Sequence, residues 1–120
     1  MSARKFLCVD DEEVVRRVIQ RIFCARSEEV SVLDSAADAI EALTKQSYDL
    51  VITDIRMDGG GGKAVAEAAG RAGIPVLFIT GYAESGSVQD FIDAGAPVVR
   101  KPFTAAQLVE TIEELMERSS

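Results

Sequence analysis

Phe6-Leu7-Cys8-Val9-Asp10-Asp11 is the stretch on which the fold turns. Four apolar residues in a row, without the alternation of a half-exposed strand, predict a strand buried on both faces. Downstream, Val14, Val15, Val18, Ile19, Ile22 and Phe23 recur at helical spacing and predict a helix with one apolar stripe. This strand-then-helix unit repeats along the chain. Residues 30–33 read as a second strand, and Ser35 with Asp38 resembles a capping box opening a helix that turns Ile40 and Leu43 inward. Leu50-Val51-Ile52-Thr53 is a third strand, followed by a glycine-rich loop at 58–62 and an alanine-rich helix ending near Gly73. Val76-Leu77-Phe78-Ile79 is the fourth. The helix expected around 84–94 carries Ser85-Gly86-Ser87 in its first turn, which weakens it. Val98 and Val99 form a brief fifth strand, and Thr104 with Gln107 caps a last helix with Leu108, Ile112, Leu115 and Met116 inward.

Strict alternation of five strands and helices implies an α/β fold, a parallel sheet with helices on both faces. Right-handed crossovers to two faces require the winding to reverse once. The usual solution for five strands has order 2-1-3-4-5, with strands 1 and 3 adjacent at the switch point. Ligands in such sheets bind beyond the carboxyl ends of the strands. At 120 residues the chain is read as one domain, 1–120, large enough for its own core.

Charge and composition narrow the chemistry. A net charge of −7 disfavours nucleic acid and anionic membrane surfaces as partners. There is no histidine, so histidine-based acid–base, phosphocarrier or zinc chemistry is excluded. Cys8 and Cys24 both fall in apolar segments and read as buried small hydrophobes in a reducing cytosol. The first residues hold too short an apolar run for a signal peptide, so a cytoplasmic location is expected. Only 117–120 follow the last helix, which reads as a stand-alone module or one cut from a hybrid kinase or multidomain regulator.

The four central strands end on polar residues: Asp10-Asp11, Asp54, Thr80 and Lys101. The expected strand order gathers three carboxylates with a hydroxyl and an ammonium to one side. Repulsion among the carboxylates raises the pKa of at least one of them. A hard divalent cation such as Mg²⁺ relieves the conflict and leaves one carboxylate free to attack phosphorus. Lys101 can pair with a phosphoryl oxygen, and the Thr80 hydroxyl can hydrogen-bond another. Singly, each residue has an ordinary reading as helix cap, loop, turn or solvated charge; together, on these strands, they specify a site.

The chain resembles response-regulator receiver domains of two-component signalling, which have the flavodoxin-like topology. The resemblance is carried by Cys8-Val9-Asp10-Asp11-Glu12, Tyr48-Asp49-Leu50-Val51-Ile52-Thr53-Asp54-Ile55, Ile79-Thr80-Gly81-Tyr82-Ala83 and the segment from Ala94-Gly95-Ala96-Pro97 to Lys101-Pro102-Phe103. It implies Asp54 as phosphoacceptor, Asp11 and the backbone carbonyl of Arg56 as Mg²⁺ ligands, and Asp10 as an outer or water-bridged ligand. Thr80 becomes the switch hydroxyl, Lys101 the phosphate-pairing cation, and Gly62 the glycine that opens helix 3. A cis Lys101–Pro102 bond is expected. The implied partners are a histidine kinase or histidine phosphotransfer protein and a downstream protein target or fused output domain; the implied chemistry is confined to the domain's own phosphorylation and dephosphorylation.

Two departures shape the reading. Asp58, followed by four glycines, stands where the family has proline, so the loop after Asp54 is expected to be mobile. Val98 replaces the aromatic that usually lies three residues before the lysine, so the switch is expected to be read through helix 4. Arg56 and Tyr82 flank the expected path of the hydrolytic water and predict a long-lived phosphorylated state. The alternative is an aspartyl-phosphate phosphatase of the haloacid-dehalogenase type, but its Asp-x-Asp nucleophile motif is absent where Asp10 and Asp11 are adjacent. A flavin or nucleotide module would need glycines and hydroxyls in the first strand–helix loop, which here is acidic. A degenerate receiver would lack the acceptor Asp or the Lys.

Overall fold

The structure is a computed structural model; it describes residues 4–57, 61–81 and 88–119. Ten elements alternate: β1 (Lys5–Val9), α1 (Glu13–Ala25), β2 (Glu29–Leu33), α2 (Ala36–Lys45), β3 (Leu50–Asp54), α3 (Gly61–Arg71), β4 (Val76–Thr80), α4 (Gln89–Asp93), β5 (Val98–Arg100) and α5 (Ala105–Ser119). The strands form one parallel sheet in the order β2-β1-β3-β4-β5. The winding reverses between β1 and β3.

The two-residue period of the strands sorts the core into two layers. Phe6, Cys8, Leu50, Ile52, Leu77 and Ile79 face one side, where they meet Ile19, Ile22 and Phe23 of α1 and Leu108, Ile112 and Leu115 of α5. Leu7, Val9, Val51 and Phe78 face the other, against Ala36 and Ala39 of α2 and Val65, Ala66 and Ala69 of α3. Small alanines on α2 and α3 let those helices pack closely. Both faces of β1, β3 and β4 are therefore covered, which is why their sequences lack polar alternation.

Several local expectations need correction. Val14 is 72% exposed and Val18 37%, so Ile19, Ile22 and Phe23 of α1 fill the core, with Val15 packed partly buried beside them. Cys8 is buried but Cys24 is exposed, because Cys24 lies off that stripe. Ala36 and Ala39 are the fully buried residues of α2; Leu43 packs partly buried against the same core, and Ile40 is half-buried. Gly61 belongs to α3 rather than to the loop before it, and Gly62 lies in the first turn of α3, as the resemblance implied. The described part of the fourth helix is Gln89–Asp93; the loop at 58–60 and Ser85-Gly86-Ser87 lie outside the described residues.

Side-chain caps fix the helix starts. Ser35 Oγ accepts from the Asp38 amide at 3.2 Å. Thr104 and Gln107 cap reciprocally, the Gln107 amide donating to Thr104 Oγ1 at 3.1 Å and the Thr104 amide to Gln107 Oε1 at 2.8 Å. Arg4 and Arg26 share Glu28 and Glu113, tying the start of β1 and the end of α1 to α5. Among the described residues no helix is long and apolar enough to cross a membrane.

Candidate functional site

Strand register brings the polar strand ends together. Val9 pairs with Thr53, Asp54 with Ile79, and Thr80 with Arg100. Asp10, Asp54, Thr80 and Lys101 therefore share the carboxyl edge of the sheet. Main-chain bonds lock this edge: the Asp10 amide donates to Leu33 O at 3.1 Å, and the Lys101 amide to Thr80 O at 2.8 Å. The β1–α1 turn is held by Asp10 itself. Its Oδ1 accepts from the Glu12 amide at 2.8 Å, and its carbonyl accepts from Arg16 Nη1 at 2.7 Å.

Asp10, Asp54 and Thr80 are buried, whereas Asp11 is exposed. Carboxylate oxygens of Asp10, Asp11, Glu12 and Asp54 all lie within 4.8 Å of one another. Lys101 Nζ stands among them, 2.7 Å from Glu12 Oε1, 2.8 Å from Asp10 Oδ2 and 3.2 Å from Asp54 Oδ2. Asp54 Oδ1 also accepts from the Arg56 amide, at 3.3 Å. Asp10 Oδ2 is buried, and at 2.8 Å it faces the Lys101 ammonium.

Burial is the largest influence on the acids. It raises the pKa of Asp54, against the pull of Lys101 and the Arg56 amide, while Asp11 adds a smaller push upward. Asp10 is likewise raised, first by burial, although Lys101 and the Glu12 amide oppose it. Repulsion among the carboxylates is thus the lesser cause, because Lys101 already offsets part of it. Burial works against the Lys101 charge, but its carboxylate partners outweigh burial and hold its pKa above the ordinary lysine value.

These residues fit a hard divalent cation. Four carboxylates crowd one small volume, three of them on the Lys101 ammonium. Oxygen-only donors of this kind suit Mg²⁺, which keeps several waters beside one or two carboxylates.

Of the other residues singled out in the sequence, Val98 lies exposed at the start of β5, and the Lys101–Pro102 bond is cis. Tyr82 lies outside the described residues. Two participants escaped the sequence reading. Glu12 holds Lys101 from 89 positions away in the chain, and Arg16 anchors the Asp10 carbonyl. The only signal for Glu12 was that it is the third acid in a run directly after a strand. Val14 and Val18, expected in the core, instead line an open groove with Lys101, Pro102 and Phe103.

Residues 6–113 match the response regulator receiver domain family. The sensory/regulatory protein RpfC of Xanthomonas campestris pv. campestris is 29% identical over 96% of this chain; the chain spans 17% of its length. A response regulator receiver protein from Sinorhizobium medicae superposes with a TM-score of 0.85 at 28% identity, covering 99% of this chain and 98% of that one. The receiver domain of a sensor histidine kinase from Pseudomonas aeruginosa, solved with a magnesium ion coordinated in its active-site cleft, shares the fold. Its TM-score is 0.83 at 21% identity, over 97% of this chain and 99% of that one. With this sheet order and this acidic edge, the chain belongs to the response regulator receiver domains, the signalling modules of two-component phosphorelay.

Proposed function

We propose that Asp54 accepts a phosphoryl group from a phosphohistidine on a histidine kinase or histidine phosphotransfer protein. The single observation that carries this reading is the setting of the Asp54 carboxylate. It ends the central strand, with the Arg56 amide on one oxygen, Lys101 on the other and three further acids alongside. Asp11, Asp54 and the main-chain carbonyl of Arg56 would hold Mg²⁺, with Asp10 in contact directly or through water. The bound ion would supply positive charge against the oxygens of the incoming group.

The ionised Asp54 attacks phosphorus, forming an acyl phosphate. The phosphorus–nitrogen bond to the donor breaks, and its electron pair stays on the imidazole nitrogen. Lys101 and the Thr80 hydroxyl then bind two of the phosphoryl oxygens, and the movement of Thr80 alters the protein-binding face. Arg56, with its side chain exposed beside the site, would obstruct the hydrolytic water.

In this reading residues 1–120 act as one receiver domain in the cytoplasm, changing only their own Asp54 rather than turning over an external substrate. The output is a downstream protein or a fused domain. The net charge of −7 supports protein partners over nucleic acid or membrane. The test is intact-mass analysis after incubation with acetyl phosphate and Mg²⁺. The wild type gains one phosphoryl group and Asp54→Asn gains none. Label persisting on that variant refutes the assignment, and steady turnover of a general phosphomonoester would favour a phosphatase.

A further inference from the structure

Glu12 occupies the N-cap position of α1 with extended backbone, yet its side chain makes no capping hydrogen bond. Ser, Thr, Asp or Asn at that position would cap the helix. The Glu12 carboxylate instead reaches across the site mouth to Lys101 Nζ at 2.7 Å, closer than the 3.2 Å to Asp54 Oδ2. Lys101 is nearly enclosed, its side chain 12% exposed, whereas that of Glu12 is 60% exposed. Glu12 is therefore the rim partner of an ammonium whose other partners, Asp10 Oδ2 and Asp54 Oδ2, lie inside.

Asp10 and Asp54 are also among the carboxylates that would hold the divalent cation. A cation entering among them competes with the ammonium for the same acids, and two cations crowded on the same carboxylates repel. We propose that Glu12 is a positioning residue that gives the Lys101 ammonium a second resting place, so that Mg²⁺ and Lys101 occupy the site together. This rests on the reading of the acidic cluster as the Mg²⁺ site. With the ion bound, Lys101 keeps Glu12 as its anchor and remains within reach of the Asp54 oxygen. Phosphorylation then brings a dianionic group that draws the ammonium inward, and the solvated Glu12 releases it at little cost.

A positioning role differs measurably from that of a generic negative charge. A generic charge would attract Mg²⁺ equally whether or not Lys101 is present. A resting place for Lys101 matters only when Lys101 is there. Calorimetric titration of the unphosphorylated protein with Mg²⁺ should show Glu12→Gln weakening binding by a factor about threefold larger in the wild-type background than in Lys101→Met. Glu13→Gln removes the same charge from a residue paired with Arg17 rather than with Lys101, and should show no such dependence. Because Lys101→Met alters the charge balance of the core, a second measurement uses the wild-type lysine. The side-chain carbon signal of Lys101 in the Mg²⁺-loaded protein should move on Glu12→Gln. Equal weakening in both backgrounds, or an unmoved Lys101 signal, overturns the role of Glu12. A wild type that binds no Mg²⁺ would instead overturn the underlying site reading.

Discussion

Asp54 has to be charged to act as a nucleophile, yet it sits where burial disfavours its charge, and only part of that penalty is offset by Lys101 and the Arg56 amide. A folded-state pKa raised above the unfolded value makes protonation stabilising. The contribution of such a group is present below the unfolded pKa of about 4 and is lost as pH rises through the higher folded value. Asp10 behaves in the same sense. In metal-free buffer the wild type should therefore lose stability relative to Asp54→Asn as pH rises above about 4. Chemical denaturation at several pH values measures it, and a pH-independent difference contradicts it. The acids were legible in the sequence because each directly follows an apolar run, where a parallel sheet presents its strand ends. The pairing of Lys101 with Glu12 was not, since nothing local links residues so far apart. The cause of the shifted pKa values also needed the structure, because burial outranks the repulsion that the sequence suggested.

The elements owe their fit to particular small residues. A Cβ placed on Gly62 would lie 2.3 Å from the Asp54 carbonyl oxygen and 2.9 Å from the Ile55 Cα, so the first turn of α3 touches the end of β3 directly. Gly61, at φ +52°, and the Gly62 amide bond to Ile55 O complete the contact. Gly62→Ala should cost about 1–3 kcal/mol, as over-packing against backbone does. It should also slow labelling, because the displaced carbonyl belongs to Asp54. Gly70, in the same helix, would meet nothing within 4 Å, so Gly70→Ala should stabilise by about 0.5–1 kcal/mol. Paired thermal melts decide; similar effects at both positions would contradict the contact. Capping at Ser35 and Thr104 was readable because it uses residues three apart. The faces of α1 were not, since six apolar residues cover more than one stripe and only those meeting the sheet are buried.

For the whole molecule, sheet order determines which strand ends become neighbours. The reversal between β1 and β3 sets the Asp10-Asp11 turn beside Asp54, and β4 and β5 then bring Thr80 and Lys101 to the same edge. This level was the most legible, because uniform alternation and handed crossovers leave few arrangements for five parallel strands. The central claim is that the phosphoryl group rests on one carboxylate at that edge. Borohydride reduces an acyl phosphate of aspartate to homoserine, which marks the position permanently. After acetyl phosphate and Mg²⁺, borohydride treatment and peptide mass spectrometry should find homoserine at position 54 and at no other residue, and none when Mg²⁺ is chelated. Homoserine at Asp10 or Asp11, or its absence from a protein that carries the label, would contradict the account.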